Sequence, residues 1–540
     1  MDKKNIKIEP IHSVNYVSQV EEQKKKLNEL SLTLTSQHFD SLPTIQIIPG
    51  SISETTTQAE QLLVNSKVGI FQRAGQLVRI ISETIKPKTN GDIKRPPDAL
   101  MITSVDALYL GETLSKLAKW EQYDQRRNNW KQKDCPDKVA KTLLVRREWN
   151  LPVLAGIIQA PTLRSDGSIL DTPGYDKETG LFFNPGKTQF EPIKSKPTKD
   201  DAYLALKELL NLLKDFPFEN DESTSVAISA ILTALIRRSL PTAPLHGFTA
   251  PKMASGKSLL ADVVGLIATG KSNAVMSQAE NEAEEQKRLL AVLAEGDLIV
   301  CYDNIDRPFG SAPLCSVLSQ EEFKGRVLGC TKNISVPTNA LFLATGNNLT
   351  FVGDITTRSI LCSLNPKCER PEEREFEVDL RSYIPNHRSS LVKAALTILR
   401  AYIFAGKTKQ PIAPFGRFEE WSNLVRSAIV WIGMEDPCKS RKDIESTDPV
   451  RLAIKALFTA WFAVFSNTPT KVKSVINNSS EELREALLAF FPDSCNGISE
   501  ISLGRKLQSY NKRIEGGLQL DRMSDHKGSA TWRIIKVENT

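Results

Sequence analysis

Gly256, Lys257 and Ser258 stand where an apolar run ends and a helical pattern begins, in PLHGFTAPKMASGKSLLADVVGLIATG from Pro244 to Gly270. A glycine at such a junction lets backbone N–H groups approach an anion. A lysine there reaches β- and γ-phosphates, a serine hydroxyl ligates Mg²⁺, and the helix points its positive dipole end inward. These types in this order predict a cradle for ATP and Mg²⁺ built from Met253, Ala254, Ser255, Gly256, Lys257, Ser258 and Leu259. The full G-x-x-x-x-G-K-[ST] pattern has glycine where this chain has Pro251, which donates no N–H, so the grip falls to the amides from Met253 to Ser258. A helix N-cap at Ser255 or Ser258 with no ligand accounts for the same letters.

Downstream, Leu298-Ile-Val-Cys-Tyr-Asp303 is an apolar run closed by an acid. Such a run reads as a buried parallel strand, whose C-terminal end is where α/β sheets bind ligands. Asp303 is expected to hold Mg²⁺ opposite Ser258. Asn304, the next residue, orients water but takes no proton, which leaves Asp303, Asp306, Glu284 or Glu285 as the base. A third apolar run, from Asn339, ends in Asn347 and Asn348, amides suited to sensing a γ-phosphate or holding the attacking water. Arg358 follows in GDITTR and is open to two readings, a cation for catalysis or an ordinary ion pair.

These residues need a doubly covered parallel sheet to position them, and the chain of 540 residues has room for it with further modules on either side. Residues 1–42 are polar and read as a mobile arm. From 43 to 197, short apolar runs with turn signals predict an α+β module. Within it Arg73, Arg79, Arg126, Arg127, Lys131 and Lys133 interleave with Trp120, Tyr123 and Trp130, which suits either a nucleic-acid surface or a solvated face over core aromatics. Helices over about Asp200–Asp215 and Thr224–Arg238 open the ATPase core, 198–405, and 406–470 reads as a helical lid or linker. Between Lys324 and Pro337 the pattern alternates like a hairpin turning at Lys332-Asn333. The lysine either contacts a nucleic-acid backbone or blunts a strand edge.

The last segment, 471–540, reads as a winged helix. Ser479-Ser-Glu-Glu482 opens one helix, and Leu503, Leu507 and Tyr510 mark the buried side of a second, with Arg505, Lys506, Lys512 and Arg513 on its other side. LQLDRM and TWRIIKV then make a hairpin around Lys527. A basic helix followed by a wing suits duplex DNA, and a protein-docking module has the same outline.

Composition limits the alternatives. A net charge of +6 is small for this length, so any nucleic-acid surface is local. The eight cysteines form no C-x-x-C pair and there are five histidines, which argues for a reduced cytoplasmic protein without a zinc site. No apolar stretch is long enough for a bilayer, and Val226–Ile236 reads as a core helix. Neither a spaced Asp-x-Asp with histidine nor a cysteine-rich ribbon precedes the core, so priming chemistry is expected from a separate primase or not at all.

The order of motifs resembles an AAA+ P-loop ATPase of the kind found in superfamily-three and MCM-like helicases. APKMASGKS, DNIDRP, RVLG, ATGNNL, the Gly353-Asp354 to Arg358 segment and ERPEERxF are similar to the ATPase segment of primase-helicase proteins of prophages, plasmids and integrative elements. The similarity spans nearly the whole chain, including DGSILDTPGYDKETGLFF and FGRFEEWSNLVRSAIVWIG. This chain departs from it at Ala254, where the family has glycine, and at Thr357, where the family pairs an arginine with Arg358. The resemblance implies an ATP-dependent DNA helicase of a mobile element, a homo-hexameric ring with ATP between subunits. Asn347 would sense the nucleotide. Arg358 would complete the neighbour's site, a contribution of about 10³- to 10⁵-fold in rate. Single-stranded DNA would pass the Lys332 hairpins in the channel while the winged helix holds duplex. An ATP-gated DNA-binding loader or regulator without unwinding is the alternative.

Overall fold

The computed structural model describes residues 42–83, 93–326, 333–374, 376–478, 480–491, 497–524 and 530–537. They fall into two compact units. One runs up to Ile80 and resumes over Ile102–Val153; the other comprises Ile81–Met101 and the chain from Leu154 onward.

In the first unit, Thr44–Ile47 lies parallel to Lys119–Asp124, which pairs antiparallel with the edge strand Asn129–Lys133. Helices Ile52–Ser66, Ala107–Leu117 and Asp137–Arg146 pack with this sheet. Alternation along the strands sends Ile45 and Trp120 into a core with Leu63, Leu110, Leu114 and Leu143. The Trp120 indole N–H is satisfied there by the Leu114 carbonyl at 3.0 Å. The sequence suggested one module from 43 to 197, but the chain beyond Val153 bonds into the second unit. Thr162 Oγ1 donates to the Leu235 carbonyl at 2.7 Å, Ser239 Oγ to that of Leu163 at 2.6 Å, and Asn339 Nδ2 to that of Ala155 at 3.2 Å.

The second unit is built on a five-stranded parallel sheet. Its strands are β1 (Leu245–Ala250), β2 (Ala274–Met276), β3 (Ile299–Ile305), β4 (Leu341–Asn347) and β5 (Ser359–Ser363), in the order β2-β3-β4-β1-β5. Helix α1 (Lys257–Thr269) connects β1 to β2, and α2 (Glu282–Glu295) connects β2 to β3. Parallel strands covered by such crossovers are apolar along their length, and Leu341–Gly346 is buried throughout. Because β4 is inserted between β1 and β3, the C-terminal ends of the three strands lie side by side.

Buried arginines fix the framework on the opposite side of the sheet, where the strands begin. Arg388, on helix α3 (Leu380–Phe404), donates from Nε to the Ile267 carbonyl at 2.9 Å and from Nη2 to that of Ala268 at 2.8 Å. These are last-turn carbonyls of α1, which have no partner within the helix, and a cation there also meets the negative dipole end. Arg237 closes the helix Asp221–Ile236, in which Val226–Ile236 is buried as the pattern predicts, by donating to the carbonyls of Leu240, Thr338 and Ala340 at 2.6 to 2.9 Å.

Toward the C-terminus, helices Glu481–Phe490 and Glu500–Ser509 are followed by the antiparallel strands Ile514–Glu515, Leu518–Ser524 and Ala530–Lys536. Leu483, Leu487, Leu503, Leu507, Leu520, Trp532 and Ile534 form their core. Helix Pro449–Phe465 joins that same core through Ile454, Leu457, Phe458 and Trp461, so the packing reaches upstream of residue 471. Ser480 caps the first of these helices, accepting from Leu483 N at 3.4 Å, and Ser479 lies outside the described residues.

Candidate active site

The loop after β1 has φ alternating in sign, with Ala254 at 58° and Gly256 at 98° and neither Ser255 nor Lys257 positive. Such a backbone turns successive N–H groups to one side and makes an anion-binding concavity, which here leads straight into the N-terminus of α1. Gly256 cannot be replaced without strain, because a Cβ at its positive φ would also stand 3.3 Å from Phe216 and 3.8 Å from Phe376. Ser255, buried, stitches the loop by donating from Oγ to the Lys252 carbonyl at 2.8 Å. Met253 is the exposed tip, and Leu259 is half-buried one turn into α1.

Lys257 is 8% exposed, and its Nζ donates to the Lys252 carbonyl at 2.9 Å and to Asn347 Oδ1 at 2.7 Å. Burial holds its ammonium below the usual lysine range, and the charge of Asp303 opposes that shift. Opposite it, the pairing of β3 with β4 slips between Tyr302 and Ile305, and Asn304 takes a left-handed φ of 57°. This bulge re-aims the end of the strand. Asp303 Oδ1 consequently accepts from both Ser258 Oγ at 2.9 Å and Thr345 Oγ1 at 2.5 Å, while Oδ2 has no partner among the described residues. The Thr345 hydroxyl also accepts from Asn304 N at 3.2 Å. The Asn304 side chain itself is exposed.

Lys257, Ser258, Asp303 and Asn347, expected from three separate segments, therefore meet in one cleft at the ends of β1, β3 and β4. Thr345 was missed. The signal for it was a hydroxyl two residues before Asn347, on the same side of an otherwise apolar strand. The donor set fits Mg²⁺, which takes one or two protein oxygens and completes its shell with water and phosphate. Among the described residues no three or more His, Cys, Asp or Glu cluster as metal ligands do.

The remaining carboxylates lie elsewhere. Glu285 is 6% exposed and accepts from the Tyr302 hydroxyl at 2.8 Å, within the packing of α2 on β3. Glu284 pairs with Arg288 and Lys287, and Asp306, exposed, with Arg307. Arg358 is turned into its own chain: Nη1 donates to the Cys315 carbonyl and to Ser319 Oγ at 3.2 Å, and Nη2 to Asp354 at 3.3 Å.

Of the basic residues of the C-terminal module, Arg505 is exposed with no hydrogen-bonding or ionic partner among the described residues. Lys506 folds back onto the Phe490 carbonyl and over the rings of Phe490 and Phe491. Lys512 pairs with Asp521, and Arg513 with Glu515 at 2.9 Å. Lys332 and Lys527 lie outside the described residues. No described helix is long and apolar enough to cross a membrane.

No family model and no curated protein matches the sequence. Among solved structures the chain is similar to an apo A form of the NrS-1 C-terminal region, at 12% identity and a TM-score of 0.35 over 89% of this chain and 98% of that one. It is also similar to SCCmec type IV Cch, an active helicase, at 11% identity and a TM-score of 0.33 over 87% and 97%. A third likeness, to JCV helicase, has 12% identity and a TM-score of 0.20 over 46% and 73%. Likenesses this distant carry no inference about activity, which rests instead on the residues of the cleft.

Proposed function

We propose that this chain is an ATP-driven DNA motor, a helicase or translocase that replicates a mobile genetic element, with an AAA+ P-loop core. The observation that carries the reading is the pair of contacts across the cleft, Ser258 Oγ to Asp303 Oδ1 at 2.9 Å and Lys257 Nζ to Asn347 Oδ1 at 2.7 Å. A hydroxyl aimed at a carboxylate beside a buried ammonium is what Mg²⁺ and phosphate need on their protein side.

In this reading the amides from Met253 to Ser258 hold the phosphates, and Lys257 exchanges the Lys252 carbonyl and Asn347 amide for phosphate oxygens. Mg²⁺ between Ser258 and Asp303 would supply neutralisation of phosphate charge. Thr345 keeps the Asp303 carboxylate aimed while Asn304 and Asn347 orient water. Asp303, alone of the four carboxylates considered as base, bonds within the cleft. The ATP site is completed by a neighbouring copy in a hexameric ring, with Arg358 the finger proposed from its position once it exchanges its partners within its own chain for phosphate. The C-terminal module, as a winged helix, presents Arg505 to duplex DNA, and the Lys332 hairpin tracks the single strand.

Phosphate release from ATP by the purified chain, with and without single-stranded DNA across a salt series, tests this reading. Turnover should be stimulated by DNA, lose that stimulation as counterions compete, and vanish in Lys257→Ala. Turnover equal in wild type and Lys257→Ala would sink it. Strand displacement separates the motor from a loader, which would hydrolyse ATP without unwinding.

A further inference from the structure

The hairpin Lys119–Asp124/Asn129–Lys133 of the first unit leaves more to explain than its fold requires. Trp120 is buried, but its neighbours in pattern are not: Tyr123 is 42% and Trp130 39% exposed. They are directly opposite each other across the strands, with ring centroids 5.4 Å apart and planes at 67°. Every residue of the edge strand Asn129–Lys133 is exposed. Arg126 and Arg127 at the turn beside the rings, and Lys131 and Lys133 on the other face of the edge strand, are all exposed, and none has an ionic or hydrogen-bonding side-chain partner among the described residues. The nearby Asp124 carboxylate is taken up by the turn, accepting from the backbone N–H of Arg126 at 3.0 Å.

We infer that this hairpin is a binding surface for single-stranded nucleic acid, on which unpaired bases stack against Trp130 and Tyr123 while phosphates meet Arg126 and Arg127 at the turn. Large apolar rings left in water on a two-stranded ribbon offer nothing to their own core, and a π-face accepts any base. Four unpaired cations on one short hairpin complement a polyanion and oppose a basic or apolar protein partner. Lys131 and Lys133 stand opposite Gln122 and Trp120 and so point to the sheet face away from Tyr123 and Trp130, which leaves the phosphates beside the stacked bases to Arg126 and Arg127 at the turn. Duplex DNA, whose bases are already stacked, has no use for the rings. The surface needs no nucleotide, so it stands or falls separately from the ATPase reading.

The test is fluorescence anisotropy of a labelled oligo-dT with the full chain in the absence of ATP. Trp130→Ala should weaken binding about tenfold, and Tyr123→Ala by a similar factor, the size of one lost base stack. Trp130→Phe should retain most of the affinity. Replacing Arg126, Arg127, Lys131 and Lys133 together by Gln should weaken binding at low salt and flatten its salt dependence. A duplex of the same length should bind Trp130→Ala as it binds wild type. The measurements are made in the Lys257→Ala background as well, where the same differences are expected. Unchanged oligo-dT affinity in both Trp130→Ala and the four-Gln variant overturns the proposal and leaves the surface to a protein partner. Should Trp130→Ala not fold, the four-Gln variant, which changes only exposed side chains, decides alone.

Discussion

Thr345 is the residue whose part in the cleft is most separable from folding. Its hydroxyl gives one hydrogen bond to Asp303 Oδ1 and receives one from Asn304 N, and Val has nearly its shape. Thr345→Val should lower stability by about 2 kcal/mol, the net worth of two such bonds, yet leave the Asp303 carboxylate with Ser258 alone and cut ATP turnover by about an order of magnitude. Phosphate release beside a thermal melt reads both; unaltered turnover would mean that Asp303 needs no second donor. Arg358 is the opposite case. Arg358 is 7% exposed and binds the Cys315 carbonyl within helix Ala312–Ser319, so in the isolated chain it holds structure whatever it does in an assembly. Arg358→Ala should lower the chain's stability by about 2 kcal/mol, the worth of the lost charged hydrogen bonds, while the Cys315 carbonyl keeps the Ser319 hydroxyl at 2.7 Å. A melt indistinguishable from wild type would contradict the inward placement.

Strand β1 carries a titration of its own, through His246 at its second position. His246 is fully buried, with Nδ1 3.1 Å from the Pro244 carbonyl and Nε2 3.0 Å from Ser229 Oγ, and burial pushes its pKa down to about 3. The unfolded chain takes up that proton near pH 6.5, so between about pH 6.5 and 3 the unfolded state binds more protons and stability falls as pH falls. Roughly 3 kcal/mol should be lost by about pH 4 from this group, and His246→Gln should melt with a shallower acid dependence. Parallel pH profiles for the two proteins would refute the assignment. How far such elements were legible differs case by case. The loop, β3 and β4 were readable because each is an apolar run with polar residues at one end, which local chemistry makes conspicuous. His246, Arg237 and Arg388 were not, since a polar residue satisfied by single groups of other segments, the Ser229 hydroxyl for His246 and the Ala340 and Ile267 carbonyls for the arginines, leaves no periodic trace. For the same reason Glu285, which the sequence offers as a base, takes its real partner from Tyr302 across the α2–β3 packing. Helix Pro449–Phe465 was placed with the linker because its apolar face fits any core, and only tertiary contact assigns it to the C-terminal one.

Across the whole molecule, charge is local: a net +6 over 540 residues leaves most of the surface balanced, while Lys257 is the cation that the cleft's own hydrogen bonds hold. A bound triphosphate carries more charge than one lysine and one Mg²⁺ neutralise. The ring reading assigns the further donor to a neighbouring copy, where Arg358 would have to leave the Cys315 carbonyl and Asp354 to serve as that donor. Two consequences can be measured without knowing which residue it is. On the ring reading, turnover per chain should rise with protein concentration and then level, because a lone chain would hold only part of a site. Adding inactive Lys257→Ala chains to wild type should reduce turnover more steeply than simple dilution, since each inactive chain also interrupts concerted action around the ring. A specific activity independent of concentration, together with loss strictly proportional to the inactive fraction, would show that each chain completes its own site and would leave the cleft intact but the ring without a role in hydrolysis.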